Sequence, residues 1–320
     1  MDLRALVIAA WATCVPAFAA PPTGAPVLSF PLACTIGSNC EIQHYVDDQP
    51  GPGVRDYHGG RRSYEGHNGV DLRVADMATA GKVAVLAAAP GRVARLRDGV
   101  ADVSIRAQAA PAINGKECGN GVVIDHGGGW ETQYCHLARG SVRVKMGDVV
   151  KAGQPIARVG LSGQTEFAHM HITVRHGGVI VDPFAPAPGA PPMWDAASLR
   201  QLAYKPGAVL NAGFAAGPVT LEAVEAGMGP PPGRDAPGLV AYARAIELEG
   251  GDEIAIVLKG PDGGVLAENR QTLERDKAQH LLFAGRKRPP AGWPPGRYRA
   301  SYLVRRAGKV VVARNFELTL

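Results

Sequence analysis

Short runs of Val, Ile and Leu recur between glycine turns through the middle of the chain. They are Val83–Ala88, Gly91–Leu96, Val122–Ile124, Val142–Val144, Pro155–Val159 and Ile172–Val174. Runs this short, bounded by turn residues, predict antiparallel strands rather than helices. A second series follows: Leu239–Leu248, Glu253–Leu258, Gly264–Glu268, Gln279–Phe283, Tyr298–Arg305 and Val310–Leu318. Between the two series lies Ala185-Pro186-Ala187-Pro188-Gly189-Ala190-Pro191-Pro192. Its prolines lack the N–H that a ladder needs, so it reads as a linker. The stretch 20–58 is rich in Pro, Gly and Asp without a clear period, and reads as an irregular lead-in. The pattern therefore predicts an all-β chain: a β domain over 59–186, a Pro-rich linker over 187–203 and a β-sandwich accessory domain over 204–320. There are no repeats and no heptads.

Composition sharpens this picture. The 320 residues include 41 Gly and 26 Pro, too many for a helical bundle. The net charge is +5, and no Lys/Arg stripe is interleaved with aromatics, which argues against a nucleic-acid partner. A mild positive balance does suit a polyanionic surface such as a cell wall. No apolar run approaches the roughly 20 residues that span a bilayer, so an integral membrane protein is not expected. The N-terminus has the form of a signal peptide, residues 1–19: Arg4 supplies charge, Ala5–Val15 is apolar, and Ala17-Phe18-Ala19 fits an A-x-A cleavage site before Ala20. Trp11-Ala12-Thr13 before Cys14 does not resemble a lipobox. Soluble export, to the periplasm or beyond, is the expectation, and a monomer is expected.

Export leaves four cysteines free to oxidise. Cys34 and Cys40 enclose a small loop, an easy local closure. Cys118 and Cys135 flank two strand-like stretches with a glycine-rich turn between them. A hairpin centred between His126 and Gly127 sets Cys118 opposite Cys135, close enough for a disulfide. No C-x-x-C spacing suggests a cysteine-bound metal.

The candidate chemistry is made of histidines. In His67-Asn68-Gly69-Val70-Asp71, a straight strand would hold positions i and i+4 roughly 13 Å apart, too far to share an ion. A bend at Asn68-Gly69 would let His67 and Asp71 converge. In His169-Met170-His171, alternation on a strand puts both imidazoles on one face, with Ile172 and Val174 directed to the core. His136 ends the disulfide-flanked hairpin strand. A catalytic zinc site uses three protein ligands and keeps a fourth position open. His67, Asp71 and one residue of the His169/His171 pair fill that role and leave two histidines for protons.

These motifs resemble those of the lysostaphin-type (LytM-like) zinc metallopeptidases. The resemblance rests on Gly66-His67-Asn68-Gly69-Val70-Asp71-Leu72, Gly121–Gly127, Tyr134-x-His136-Leu137, Gly147–Ile156, Gly160-x-Ser162-Gly163 and His169-x-His171, in the family's order over about residues 59–184. It implies a two-sheet catalytic domain with an open groove and one Zn²⁺ per chain, held by His67, Asp71 and His171. It also implies that His136 and His169 bind or activate water and stabilise the tetrahedral intermediate. The substrate class so implied is peptidoglycan, cut at glycyl or D-alanyl peptide bonds. Ala168 and Met170 stand where the family usually has Pro and Leu; neither supplies chemistry.

Three rivals are weaker. A non-haem Fe(II) oxygenase also uses two His and a carboxylate, but at another spacing. A non-hydrolytic wall-binding or amidase-activating regulator of the same family usually lacks some of the ligands, and none is missing here. A lipoyl-type hairpin over Gly147–Ile156 would leave every histidine unexplained. His58, with Arg61 and Arg62, stands where it could line the cleft. His44, His126, His176 and His280 have no partners in sequence, and the region from Tyr204 to Leu320 carries no catalytic constellation.

Overall fold

The computed structural model describes residues 24–106 and 113–320. The expected signal peptide, 1–19, and the cleavage point before Ala20 lie outside the described residues. No helix among the described residues is long and apolar enough to cross a membrane.

The chain is mainly β. Its first series comprises β1 (Cys40–His44), β2 (Val70–Val74), β3 (Ala84–Leu86), β4 (Gly91–Arg97), β5 (Asn120–Gly127), β6 (Trp130–Leu137), β7 (Val149–Val150), β8 (Pro155–Arg158), β9 (His169–His176) and β10 (Val179–Val181). An eight-stranded sheet runs β1-β2-β9-β6-β5-β4-β7, with β10 added to β9, and β3 pairs with β8 in a small second sheet. The alternation expected of β9 holds at its inner face: Ile172 and Val174 are buried in the core with Tyr134, Trp130 and Val122.

The second series comprises β11 (Ala208–Ala215), β12 (Gly238–Leu248), β13 (Glu253–Lys259), β14 (Val265–Thr272), β15 (Lys277–Lys287), β16 (Arg297–Arg306) and β17 (Lys309–Thr319). A three-stranded sheet, β11-β12-β15, faces a four-stranded one, β14-β13-β16-β17. Leu239 and Leu282 from the first pack with Ile256, Tyr302 and Val304 from the second in one apolar core, which makes a sandwich. Among the described residues, helices are confined to α1 (Met77–Ala80), α2 (Ala196–Gln201) and α3 (Leu221–Ala226).

Two segments differ from expectation. The lead-in is not irregular throughout: β1 pairs antiparallel with β2, and Tyr45 just beyond it is fully buried. Its sequence, Cys-Glu-Ile-Gln-His, is too short and polar to stand out as an apolar run: Cys40 and Ile42 enter the core, while Gln43 bonds to Glu247 across the seam between the two units. The Pro-rich stretch likewise packs down. Met193, Trp194 and Leu202 join the first core, and Asp195 caps α2 through Ser198 N, 2.7 Å away. Conversely, Val142–Val144 forms no strand.

Both expected disulfides are present, Cys34–Cys40 and Cys118–Cys135. The hairpin register that led to the second is wrong, however. Gly127 pairs with Trp130, and Asp125, Ile124 and Val123 pair with Glu131, Thr132 and Gln133, so the turn is Gly128-Gly129. Both turn glycines have positive φ, 60° and 83°, as a two-residue turn matched to strand twist requires. Cys118 lies before β5 in a turn that closes at Gly119, whose φ is 63°, and its carbonyl accepts from His136 N at 2.8 Å, which brings it beside Cys135. A bridge with a sequence separation of 17 is expected to stabilise the unit by about 3 kcal/mol through loop closure. A Cys118→Ser, Cys135→Ser double variant should lose about that much in urea unfolding.

Candidate metal and catalytic centre

Strand β9 organises the site. β2 pairs on one side of it, setting Asp71 opposite His171, and β6 pairs on the other, setting Cys135 opposite His171. His67 stands in the turn before β2, with a bend at Gly69 as the Asn-Gly pair predicts. A side chain at position 69 could not be accommodated, because a Cβ there would lie 2.4 Å from His171 Nε2.

His136 reaches the site by breaking a rule. Thr132 and Tyr134 of β6 point into the core, and regular alternation would send His136 after them. Instead its φ is 59°, in the left-handed region, at the extra residue of the bulge. The bulge turns the imidazole onto the face that carries His169 and His171, with His136 and His169 ring centres 4.6 Å apart.

Hydrogen bonds set the ring nitrogens. His67 Nδ1 donates to the Tyr45 carbonyl at 2.6 Å, leaving Nε2 as a lone pair. His171 Nε2 meets Asn68 Oδ1 at 3.1 Å and Thr173 Oγ1 at 2.9 Å, leaving Nδ1 free. Those two free nitrogens lie 3.2 Å apart. Asp71 Oδ1 lies 3.3 Å from His67 Nε2 and 2.9 Å from His171 Nδ1. His67, Asp71 and His171 are all buried, and their donor atoms fall within 4.8 Å of one another. Two imidazole lone pairs and a carboxylate oxygen pointed at one place are mutually repulsive unless a cation joins them. The donor set therefore fits a metal ion.

The remaining pair faces the same space. His136 Nδ1 donates to the Ser162 carbonyl at 2.8 Å, and His169 Nδ1 to the Phe167 carbonyl at 3.0 Å. Their Nε2 atoms are thus turned inward, that of His169 3.3 Å from Asp71 Oδ1. Ser162 is itself clamped, its hydroxyl donating to the Leu137 carbonyl and accepting from Asn120 N.

Burial opposes charge throughout this site. Burial alone would raise the Asp71 carboxyl, but the imidazoles of His67 and His169 that face it hold it well below the usual range. Burial and then the neighbouring His169 and His171 push His136 well below its ordinary value. Burial likewise lowers His171, against the pull of Asp71.

Five residues singled out in the sequence thus come together: His67, Asp71, His136, His169 and His171. His44 was read as partnerless, yet its Nδ1 donates to Asp71 Oδ2 at 3.0 Å. Burial works to lower His44, but bonds to Asp71 and Glu247 outweigh it and raise it to about 9. His58 does not line the site; it is exposed and stacks on Tyr204 with ring centres 4.2 Å apart. Arg62 is buried and bonds to the backbone carbonyls of Lys205 and Ile42. His126 bonds to the Pro90 carbonyl, and His176 stacks on Trp130. Asn68, Thr165, Thr173 and Tyr45, which orient the imidazoles, carry no local sequence signal beyond the neighbourhood of the motifs.

The second β unit borders the site on both sides. Glu247 and Lys277 share a cleft with His44 and Tyr64, while Leu221 and Gln279 share a hollow with Phe167 and Arg106.

Comparison with known proteins gives likenesses confined to parts of this chain. A segment of 68 residues is 35% identical to the cell division protein DipM of Caulobacter vibrioides, covering 21% of this chain and 11% of DipM. Another of 56 residues is 41% identical to the peptidoglycan DD-endopeptidase ShyB of Vibrio cholerae, covering 18% of this chain and 13% of ShyB. The chain thus matches only a small part of either relative's length. Among solved structures, a mutant catalytic domain of the prophage-encoded M23 protein EnpA from Enterococcus faecalis is 23% identical, covering 47% of this chain and 93% of that one, with a TM-score of 0.33. The catalytic domain of lysostaphin from Staphylococcus simulans is 21% identical over 44% of this chain and 86% of that one, with a TM-score of 0.28. Residues 65–183 match the description Peptidase family M23.

Proposed function

We propose that this protein is a zinc metalloendopeptidase that hydrolyses peptide bonds in peptidoglycan cross-links. The observation that carries the reading is the convergence of two imidazole lone pairs and the Asp71 carboxylate beside two further imidazoles whose Nε2 atoms face the same space. His67, Asp71 and His171 are the metal ligands in this reading. Two nitrogens and one oxygen suit Zn²⁺ and leave a position open. When bound, zinc supplies Lewis acidity to the site.

The chain's own groups do the rest. His136 and His169, each anchored at Nδ1 by a backbone carbonyl, hold Nε2 where it can accept a proton from water, hydrogen-bond the oxyanion or return a proton to the leaving amine. We assign the catalytic domain to residues 59–186 together with β1, and the accessory sandwich to residues 204–320.

Three features support the substrate class and location. The family match and the relative named a peptidoglycan DD-endopeptidase point to the wall. The charge of +5 suits an anionic polymer. Two disulfides fit an oxidising compartment, periplasmic or extracellular.

The test is digestion of purified peptidoglycan by zinc-loaded protein. Soluble fragments with new amino termini are expected, along with their loss on chelation and return with zinc; chromatography of the fragments names the bond. A zinc-loaded protein that binds the wall but releases nothing overturns the reading in favour of a regulator.

A further inference from the structure

Asp71 uses its two oxygens differently. Oδ1 faces the three imidazoles of His67, His169 and His171, while Oδ2 turns the other way and accepts from His44 Nδ1 at 3.0 Å. His44 lies opposite Asp71 in the β1–β2 pairing, at a register shift just after Ile42. Its second nitrogen, Nε2, points out of the first unit and lies 3.4 Å from Glu247 Oε1, on β12 of the second.

That carboxylate is built in rather than adrift. The same Oε1 accepts from Gln43 Nε2 at 2.5 Å, and Gln43, fully buried, also donates to the Ala278 carbonyl at 2.9 Å. Gln43 Oε1 accepts from Arg73, which also bonds Glu225 and Gln279 of the second unit. Glu247 has φ 56°, a left-handed conformation inside a strand that a non-glycine residue adopts only when its surroundings impose it. Here the twist aims a half-buried carboxylate at His44.

We propose that Glu247 is a positioning residue for the metal centre: by holding His44, it fixes the carboxylate plane of Asp71, so that the second β unit completes a site otherwise made by the first. The proposal rests on the metal reading given above. Free of His44, the Asp71 carboxylate can rotate, and a three-ligand site loses one preorganised donor.

The test uses the full-length protein and needs no turnover. Zinc affinity is read by competition with a chromogenic chelator, and ligand geometry by the visible absorption of the Co²⁺-loaded protein. Glu247→Gly removes the carboxylate and suits the left-handed backbone, so it keeps the fold, as circular dichroism would verify. It should weaken zinc binding about tenfold, the lower end of the roughly 10–100-fold cost of deleting an outer partner, and alter the cobalt band. Glu247→Gln, which keeps an acceptor for His44, should restore most of both. His44→Asn presents an amide near the place of Nδ1 but cannot reach Glu247, so Glu247→Gly added to it should change nothing further. Unchanged affinity and cobalt absorption in Glu247→Gly overturn the proposal. So does an equal further loss in the His44→Asn background, which marks a general effect of the seam. A wild-type protein that binds neither ion removes the metal reading and this proposal with it, a different result from strong wild-type binding that ignores Glu247.

Discussion

Alanine at His67, Asp71 or His171 is expected to abolish stoichiometric zinc and wall hydrolysis together. Each supplies one of three donor atoms that lie within 4.8 Å of one another, and two donors do not hold the ion against solvent. The effect is visible without substrate. Zinc at a thousand times its dissociation constant should stabilise the wild-type fold by about 4 kcal/mol, because only the native state presents the site. The three variants should show no such rise in thermal midpoint, while their circular dichroism stays native. Asp71→Ala is the most informative. It removes the carboxylate shared by four imidazoles, His44, His67, His169 and His171, and with it the reason for a cation to settle there. A variant that keeps full metal content and the full thermal shift loses its place as a ligand.

What could be read in advance followed the range of the forces involved. His169 and His171 share a face because a strand has period two, and that held in β9. The bend at Asn68-Gly69 is local turn chemistry, and it too is where the dipeptide puts it. The sandwich strands announced themselves by their apolar runs. The failures are long-range. Nothing near His44 in sequence says that β1 will lie against β2, or that Glu247 will reach across from another sheet. The orientation of His136 needs a bulge whose extra residue is counted against β5, not read from β6 alone. The hairpin register went astray because the turn was centred between His126 and Gly127, whereas three successive glycines with positive φ, Gly127, Gly128 and Gly129, carry the reversal to Gly128-Gly129. The Pro-rich segment misled for another reason. Proline forbids a ladder but not burial, and Trp194 and Leu202 anchor what composition presents as a spacer.

His136 and His169 carry the second large expectation, because they separate chemistry from metal binding. Neither belongs to the set of three donor atoms, so His136→Ala and His169→Ala should each retain zinc and its thermal shift. Each should nevertheless lose roughly 10²–10⁴-fold in peptidoglycan cleavage, the usual contribution of a positioned acid–base group. The geometry distinguishes them. His136 is kept neutral by burial and by its neighbours, with Nδ1 committed to the Ser162 carbonyl, so its Nε2 lone pair is available at neutral pH. His169 Nε2 lies 3.3 Å from Asp71 Oδ1 and shares the anion with the ligands, so its loss should also loosen the carboxylate slightly. A modest drop in zinc affinity for His169→Ala, and none for His136→Ala, is the expected pattern. Parallel metal counting and initial rates on purified wall decide the matter. Normal cleavage by both variants rules out their part in the chemistry. Loss of zinc from His169→Ala with full retention by His171→Ala would mean that the two strand positions have exchanged roles.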